Sequence, residues 1–475
     1  MATVIKTFST PSNYYVYDRE TNSVLSVNQD EFSACRNVEM GKATEDDWSL
    51  LQKFTLQGYL KDSRLRKIEH PSTKYLKHYL EGNISQITIQ ICQSCNLRCT
   101  YCSYSGKYDN QREHSDRSMD LEKAKKCIDF FMARSRNAKN PSIGFYGGEP
   151  LMEIDKIKSC IDYIDDKYEG HNLSYTITTN GTILDENFVK YAEDKKINIA
   201  ISLDGPKELH DKNRKYGDGS GSFDVIMKNI MKIKNAFPKF YKQIHFMTTV
   251  APAVDLSCIN EFYSVDTVME DNMISFNTLS LFNIKDELSY DDLFYLTDKF
   301  QTTKVILSEL GLYSPSKTSK LYNNYILNLA RFYMSLSNMR MSEVSHPGGP
   351  CIPGIMRPFI DVDGYIYPCE RVSEGSDVMK IGHIDTGFNL EKVAAMLNVG
   401  KLTELECMGC WSYTYCSLCV AASDGGNRLS GELRIKHCRN VQLQVLNTMR
   451  AICLLLENDY DFATKTLKGK AVVQR

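Results

Sequence analysis

Apolar and polar residues alternate in different ways along the chain, and the pattern divides it into three regions. In the first, up to about residue 72, two short β-rich runs at residues 14–17 and 24–27 flank the turn-like stretch Arg19-Glu20-Thr21-Asn22. This arrangement predicts a hairpin. Apolar residues at helical spacing then predict a helix within residues 46–60, and residues 70–73 read as a linker. The first region is therefore predicted to be a small α/β unit.

The second region alternates short β-rich runs with helical patterns. The predicted strands are residues 87–91, 143–146, 175–178, 197–202, 244–250 and 274–279. Helical patterns separate most of them, at residues 121–134, 154–167, 186–195 and 223–236. Repeated strand–helix alternation predicts a parallel sheet, either open or closed into a partial barrel. In such sheets the functional groups collect at the C-terminal ends of the strands.

The third region begins at about residue 346, is rich in cysteine, and ends in a predicted helix at residues 441–456. A chain of 475 residues is expected to form two or three domains. We place the divisions at residues 1–75, 80–310 and 345–440, followed by a C-terminal helix and tail over residues 441–475.

The charge balance limits the classes of partner. The chain has 57 lysines and arginines against 59 acidic residues, which argues against a nucleic-acid or anionic-membrane surface. Residues 1–13 lack the basic start and apolar run of a secretory signal. The longest strongly apolar stretch, residues 451–456, is too short to span a bilayer. We therefore predict a cytoplasmic protein with no nucleic-acid or membrane partner.

Sixteen cysteines need a chemical explanation. Disulfides are rare in the cytosol, and clustered cysteines there more often bind metal or carry out chemistry. Six are scattered, and we interpret them as small buried apolar side chains: Cys35, Cys92, Cys127, Cys160, Cys258 and Cys453. The other ten form one early and one late group.

The early group follows the first predicted strand of the second region and reads Cys95-Asn-Leu-Arg-Cys99-Thr-Tyr-Cys102. Three thiolates at this spacing, on a loop that leaves a strand, can converge on one face of an iron–sulfur cube. The fourth iron would then be open to bind a substrate. From spacing alone, a zinc site with Cys92 as its fourth ligand is the alternative.

Turns with glycine follow the next three predicted strands. They are Phe145-Tyr146-Gly147-Gly148-Glu149-Pro150, Thr178-Thr179-Asn180-Gly181 and Ser202-Leu203-Asp204-Gly205-Pro206, with Arg214 a few residues later. Turn geometry explains each of them separately, and paired glycines also let backbone groups approach a ligand closely. Together, at the mouth of one sheet, they predict a pocket for an amine, a carboxylate and a ribose.

Over roughly residues 85–285 these motifs resemble the radical S-adenosylmethionine (SAM) superfamily. Cys95, Cys99 and Cys102 match its three-cysteine motif, which holds a [4Fe–4S] cluster. The segment Gly147-Gly148-Glu149 matches its glycine–glycine–glutamate motif, which receives the methionine amino group. By the same resemblance Tyr101 would pack near the adenine, and the residues that would contact the ribose or the methionyl part are Asn180, Ser202, Asp204 and Arg214.

The resemblance implies a partial (β/α)6 barrel and a radical reaction. In this family the reduced cluster gives one electron to the sulfonium of SAM, which breaks into methionine and a 5′-deoxyadenosyl radical. The radical then abstracts a hydrogen from an unactivated carbon. The cofactor supplies the reactivity, while the protein supplies positioning and a dry pocket. An electron donor such as flavodoxin or ferredoxin is implied as a partner.

The late group reads Cys351-x12-Gly364-x4-Cys369, then Cys407-x2-Cys410-x5-Cys416-x2-Cys419, and then Cys438. Taken alone, seven cysteines could hold two zinc ions, or one zinc and a disulfide. The pattern resembles a SPASM domain, the auxiliary-cluster module of many peptide-modifying radical enzymes. It departs from the usual pattern at one point, because two residues rather than three separate Cys416 from Cys419.

By this resemblance the late cysteines hold two auxiliary [4Fe–4S] clusters, which makes three clusters in all. The second auxiliary cluster would be held by Cys407, Cys410, Cys416 and Cys438, and the first by Cys351, Cys369 and Cys419. Seven ligands leave one iron of the first cluster without a thiolate from this motif. Either a cysteine of a peptide substrate binds that iron, or an outlying residue such as Cys258 closes the site.

The N-terminal unit resembles the precursor-peptide recognition element of ribosomal-peptide maturases, which is a winged-helix-like fold. This implies that a leader peptide pairs with a strand edge, and a structural cap on the barrel is the alternative. Together these resemblances imply a maturase that forms thioethers in a cysteine-rich precursor peptide, of the sactipeptide or ranthipeptide kind.

Three rival functions remain. One is oxidation of a sulfatase residue to formylglycine, although that family typically starts close to the barrel. The second is carbon–carbon crosslinking of a peptide. The third is an iron–sulfur electron carrier, which would need no cofactor pocket and is therefore disfavoured by the intact motifs.

Overall fold

The computed structural model describes residues 2–463 except 253, 266, 267, 270, 287, 338, 349 and 350. The end of the predicted C-terminal tail, residues 464–475, lies outside the described residues. Among those that are described, no helix has both the length and the apolarity needed to cross a bilayer.

A three-stranded antiparallel sheet and three helices form the N-terminal unit. Their bounds are β1 Ile5–Ser9, β2 Tyr14–Asp18, β3 Ser23–Val27, α1 Gln29–Glu39, α2 Glu45–Leu50 and α3 Gln52–Leu56. The predicted hairpin is confirmed, because Tyr14 pairs with Val27 across β2 and β3. Tyr14 also pairs with Ser9 of β1, so β2 is the central strand and β3 lies at an edge of this sheet.

Two helical predictions for this unit need correction. The single helix predicted within residues 46–60 is two short helices, which meet at the fully buried Leu51. The sequence reading also missed α1, although Asn28 and Glu31 form a capping box at its start. An Asn followed three residues later by Glu is a local signal for a helix start.

The N-terminal unit packs against the cysteine-rich region. Phe8 and Tyr17 share a buried apolar cluster with Val441, Val445 and Leu418. One apolar face of the unit therefore meets the C-terminal helix, and the alternative reading of the unit as a structural cap stays a prediction.

Six parallel strands form the barrel sheet, and all six predicted strands are confirmed. After β4 Lys67–Ile68 and α4 Leu76–Gly82, the strands are β5 Gln86–Cys92, β6 Ser142–Gly147, β7 Ser174–Thr179, β8 Ile197–Ser202, β9 His245–Val250 and β10 Met273–Thr278. The intervening helices are α5 Leu121–Arg134, α6 Ile154–Lys167, α7 Glu186–Asp194, α8 Lys207–Asn213, α9 Phe223–Ala236, α10 Pro238–Tyr241 and α11 Leu256–Val265. Strands β5 to β10 lie side by side in chain order.

The cysteine-rich region extends the same sheet. The remaining elements are α12 Asp292–Glu309, α13 Tyr325–Ser335, β11 Val344–Ser345, β12 Phe359–Ile360, β13 Tyr365–Tyr367, β14 Gly382–His383, β15 Gly387–Phe388, α14 Leu390–Leu397, α15 Glu404–Met408, α16 Gly431–Ile435 and α17 Cys438–Leu456. Strand β12 runs parallel to β5, with Phe359 opposite Thr88. The sheet has β10 and β15 at its two edges, which agrees with a partial barrel.

The core consists mainly of isoleucine and aromatic side chains between the sheet and its helices. Strand β5 is buried at six of its seven positions, as expected for a parallel strand covered on both faces. Five of the six scattered cysteines are buried, which confirms their core reading. Cys258 is exposed on α11, so that reading is wrong for this residue.

Candidate functional site

The loop that carries the early cysteines leaves β5 and is held on two sides. On one side the Arg98 amide donates to the Lys215 carbonyl over 2.6 Å, and the Thr100 amide donates to the Asn213 carbonyl over 2.9 Å. On the other side Asn96 Nδ2 donates to Thr182 Oγ1 over 2.8 Å. These bonds fix the loop between the segments that follow β7 and β8.

The three early thiols lie close enough to influence one another. Burial raises the pKa of Cys95 to about 12 and that of Cys99 to about 11, and the neighbouring thiols add to both shifts. The amides of Leu97 and Tyr104 donate to the sulfurs of Cys95 and Cys102 over 3.4 Å. Iron would supply the positive charge that keeps such buried sulfurs ionised. This donor set, with amide groups directed at sulfur, fits a thiolate-bound cluster.

A zinc site and a four-iron cluster require different ligand arrangements. The ligands of zinc surround one ion, whereas the cysteines of a cube bind different irons. Across the described residues, no three His, Cys, Asp or Glu side chains surround a position for a single metal ion. Cys92, the suggested fourth zinc ligand, directs its thiol at the Glu149 carbonyl over 3.3 Å.

The two glycines after β6 are required by close backbone packing. A Cβ atom added to Gly147 or Gly148 would overlap the carbonyl oxygens of Cys92 and Ser94 respectively. The Gly148 and Glu149 amides donate to these same two carbonyls over 3.0 and 2.9 Å. The glycines therefore bring the end of β6 against the backbone that leads into the early cysteine loop.

Glu149 is buried and joins the ends of β6 and β7. Its carboxylate accepts hydrogen bonds from Thr179 Oγ1 over 2.7 Å, from the Asn180 amide over 2.7 Å and from the Leu151 amide over 3.0 Å. Burial nevertheless raises the pKa of Glu149 to about 7. An ammonium group beside this carboxyl would favour its ionised form.

Tyr101, Asp204 and Arg214 form one buried network beside the cysteine loop. The Tyr101 hydroxyl and Arg214 Nε, the latter over 2.8 Å, both donate to Asp204 Oδ2. Asp204 Oδ1 accepts from the Thr249 amide over 3.0 Å. The Arg214 charge also acts to lower the pKa of Cys99. The network thus places one cation beside the early thiols and fixes the Tyr101 ring.

The other two predicted cofactor contacts have different surroundings. Asn180 Nδ2 donates to Asn96 Oδ1 over 2.8 Å, so this side chain also steadies the cysteine loop. Ser202 is half-buried at the end of β8, where it pairs with Met247. A cavity of about 140 Å³ opens beside Tyr101 and is also lined by Tyr108, Leu279 and Leu288.

The late cysteines influence one another electrostatically in two sets. In the four-cysteine set, burial and the charges of Cys407, Cys410 and Cys416 raise the pKa of Cys438 to about 11. In the three-cysteine set, burial is the main cause and Cys351 and Cys419 are lesser causes of the rise in the pKa of Cys369 to about 12. The Cys258 thiol contacts Asp255.

Sequence reasoning missed a buried polar cluster between the early and late cysteine regions. Arg112 Nε and Gln90 Nε2 each donate to Glu374 Oε2 over 2.8 Å. The Arg112 guanidinium also lies 3.5 Å from the centre of the Tyr104 ring. Arg112 Nη2 is buried without a hydrogen-bond partner among the described residues. Arg112 and Glu374 are 262 positions apart, and no motif in the sequence pairs them.

Comparison with known proteins agrees with this geometry. Residues 89–264 match the model of the radical SAM superfamily. The chain is 36% identical to the cysteine-type anaerobic sulfatase-maturating enzyme of Clostridium novyi (strain NT) over 164 residues, which are 34% of this chain and 42% of the relative. It is 24% identical to the radical SAM cyclopropyl synthase TigE of Paramaledivibacter caminithermalis over 216 residues, 43% of each chain. Each of these two matches spans less than half of the relative's length.

A solved structure has the same fold. "Native anSMEcpe with bound AdoMet" superposes with a TM-score of 0.55 at 20% identity, and the match covers 77% of this chain and 99% of the other. The same protein is also known with bound AdoMet and Cp18Cys peptide, with a TM-score of 0.53 at 19% identity over 77% and 98% of the two chains.

The close packing of Gly148 predicts one effect on the stability of the metal-free protein and a second effect on iron binding. Gly148→Ala should lower the free energy of unfolding of the metal-free protein by about 1–3 kcal/mol, because the new methyl group cannot fit beside Ser94. The variant should also bind less iron after reconstitution, since the cysteine loop is displaced. Denaturant unfolding and iron analysis measure the two effects.

Gly217→Ala is the matched control. An added Cβ at Gly217 meets no atom within 4 Å, so this variant should keep the wild-type stability and iron content. Equal stabilities for the two variants would contradict the packing role of Gly148.

Proposed function

We propose that this chain, whose residues 89–264 match the radical SAM superfamily, is a radical SAM peptide maturase. It would cleave SAM to a 5′-deoxyadenosyl radical and install thioether crosslinks, from cysteine sulfur to carbon, in a ribosomally made precursor peptide. The observation that supports this most directly is the separation of the late thiols into a four-cysteine and a three-cysteine set next to the radical SAM domain.

The early site has residues suited to each part of the cofactor. Cys95, Cys99 and Cys102 would hold a [4Fe–4S] cluster, whose chemistry is one-electron reduction of SAM. Ionised Glu149 would receive the amino group, while Asp204 keeps the Tyr101 ring oriented for the adenine. Burial of these groups excludes water from a reactive radical.

The three-cysteine set supports a thiol substrate. Cys351, Cys369 and Cys419 would leave one iron of the first auxiliary cluster for a cysteine of the peptide, and closure of that site by Cys258, whose thiol contacts Asp255, is the alternative. Thioether formation removes one hydrogen atom, one proton and one electron. The hydrogen atom goes to the radical, the proton to a base and the electron to an auxiliary cluster.

The buried polar cluster of Gln90, Arg112 and Glu374 joins the early cysteine region to the late one. Tyr146 is influenced electrostatically by both Glu370, next to Cys369, and Cys102. A peptide bound between the early and first auxiliary sites would therefore meet Tyr146 and Arg112, whose Nη2 could donate to a peptide carbonyl.

The N-terminal unit would bind the leader of the precursor peptide. Strand β3 lies at a sheet edge, and the addition of a peptide strand requires such an edge. A flavodoxin or ferredoxin would supply the electrons. A cytoplasmic location fits this partner and remains a prediction.

The relatives favour a second candidate function. The Clostridium novyi relative is named as a sulfatase-maturating enzyme, so formylglycine formation on a cysteine or serine of a sulfatase must be tested beside thioether formation. The cyclopropyl synthase name of TigE keeps carbon–carbon bond formation as a further outcome.

Iron content and cofactor cleavage test the cluster assignments together. Anaerobically reconstituted protein should contain about 12 irons per chain and release 5′-deoxyadenosine from SAM when reduced. The combined Cys95→Ala, Cys99→Ala and Cys102→Ala variant should retain about 8 irons but release none. Formation of 5′-deoxyadenosine by that variant would show that the early site is wrongly assigned.

The product decides between the candidate reactions. We expect a cysteine-rich precursor peptide to keep its sulfur and lose two hydrogen atoms per crosslink, with the affected cysteine no longer alkylated, as measured by mass spectrometry. A peptide with that cysteine replaced by serine should remain unmodified. An aldehyde on a sulfatase-derived peptide, with no crosslink in the precursor, would establish the second candidate instead.

SAM affinity should depend on pH through Glu149. Because burial raises its pKa to about 7, the carboxyl is protonated below that pH and cannot pair with an ammonium group. Affinity should therefore be complete above about pH 7 and fall roughly tenfold per pH unit below it, as measured by anaerobic calorimetry.

Two variants separate this effect from general acid sensitivity. Glu149→Gln should bind SAM weakly at every pH and lose the pH dependence. Glu153→Gln, in the same turn, should keep the wild-type profile, since Glu153 bonds Ser118 rather than β7. A flat wild-type affinity from about pH 6 to 8 would contradict the role of Glu149.

A further inference from the structure

Two arginines are the largest fully buried side chains of the described chain. Arg19 has no exposed surface and Arg434 is 1% exposed. Arginine is almost never fully buried unless it is paired, yet neither forms an ion pair with a carboxylate within the described residues. Their charges therefore require another source of compensation, since an isolated buried cation costs several kcal/mol.

Arg19 lies just after β2, in the turn toward β3, and reaches into the cysteine-rich region. Its Nη1 donates to the Met408 carbonyl over 2.6 Å and to the Cys410 carbonyl over 3.2 Å. Its Nη2 donates to Ser63 Oγ over 2.5 Å. These bonds hold the guanidinium against the backbone of the four-cysteine set, 391 positions away along the chain.

The acidic neighbours of Arg19 form their hydrogen bonds with other donors. Asp18 accepts from the Thr21 hydroxyl and from the Leu60 and Glu20 amides. Glu20 Oε2 accepts from the Arg64 amide over 3.1 Å, and its Oε1 is buried without a hydrogen-bond partner among the described residues. Glu20 is the strongest favourable charge near Arg19, although the two side chains form no ion pair. After Glu20, the group that most favours the charged form of Arg19 is Cys410.

Arg434, on α16, contacts another part of the same cysteine-rich segment. Its Nη1 donates to the Leu418 carbonyl over 3.1 Å, and its Nη2 lies 3.8 Å from Cys416 Sγ. Its charge acts to lower the pKa of Cys407, Cys416 and Cys438. Between them, the two arginines act on all four thiols of this set.

We infer that Arg19 and Arg434 are the counter-cations of an anionic iron–sulfur cluster held by Cys407, Cys410, Cys416 and Cys438, and that they raise its reduction potential. The inference rests on the proposed function, because it requires that cluster. Four thiolates outweigh the positive charge of the oxidised cube, and reduction adds one more negative charge. Net charge and hydrogen bonding set the potentials of such clusters, so two buried cations favour the reduced state.

Arg19 and Arg434 are positioning residues in this account, since they contact the ligands and their backbone but no reacting atom. Arg19 also makes the N-terminal unit part of the environment of the cluster. The proposed leader-binding unit and the proposed electron acceptor therefore share one buried side chain.

The test is a redox titration followed by electron paramagnetic resonance. It uses the full chain carrying Cys95→Ala, Cys99→Ala and Cys102→Ala, so that only the late clusters contribute. Arg19→Met and Arg434→Met should each lower the midpoint potential of the same late cluster. The expected shift is at least about 59 mV, which corresponds to a tenfold change in the reduction equilibrium. Arg19→Lys and Arg434→Lys keep the charge and should restore most of that shift.

Arg66→Met is the matched control. Arg66 Nη1 also donates to Ser63, at the backbone carbonyl. Unlike Arg19, however, the Arg66 side chain is exposed to solvent. This variant should leave both midpoint potentials unchanged.

The outcomes separate this inference from the proposed function. The parent chain is the one with the three early cysteines replaced by alanine. If it binds iron and both methionine variants keep its midpoint potentials, the inference about the arginines is wrong, while the proposed late clusters stand. If the parent chain binds no iron at the late cysteines, the proposed function itself fails. If Arg19→Met does not fold by circular dichroism, the Arg434→Met and Arg434→Lys pair decides, with equal potentials overturning the inference.

Discussion

The early cysteine site depends on direct backbone contact between the end of β6 and the loop that leaves β5. Only glycine fits at positions 147 and 148, because any Cβ there would overlap the backbone of residues 92–94. Glu149 then extends the contact to β7 through Thr179 and Asn180. Three strand ends are thus joined by short hydrogen bonds, and the backbone that leads into the loop of the early thiols packs against them.

A second structural connection, made by strand pairing, links the early and late cysteine regions. Pairing of β12 with β5 makes the cysteine-rich region a continuation of the barrel sheet. Arg112 and Glu374 form a largely buried ion pair between the same two regions, with side chains 11% and 6% exposed. Such pairs contribute little net stability, but they fix the relative positions of the segments that join there.

The two late cysteine sets have different charged neighbours. Arg19 and Arg434 are buried and donate to backbone carbonyls of the segment that carries the four-cysteine set. Beside the three-cysteine set, Glu370 raises the pKa of Cys369 and forms an ion pair with Arg357 over 2.6 Å. The four-cysteine set is therefore the one with buried arginines that have no carboxylate ion-pair partner among the described residues.

The sequence by itself determined the barrel strands, most of the helices and the motif residues, because these follow from local periodicity and spacing. Only the tertiary structure decided that β2 is central, that Gly147 and Gly148 face backbone, and that Arg112 meets Glu374. It also placed Arg19 beside Cys410. Contacts between distant positions leave no periodic signal, and a buried arginine reads in sequence like any exposed one. Its environment comes from packing, which is set by the whole fold.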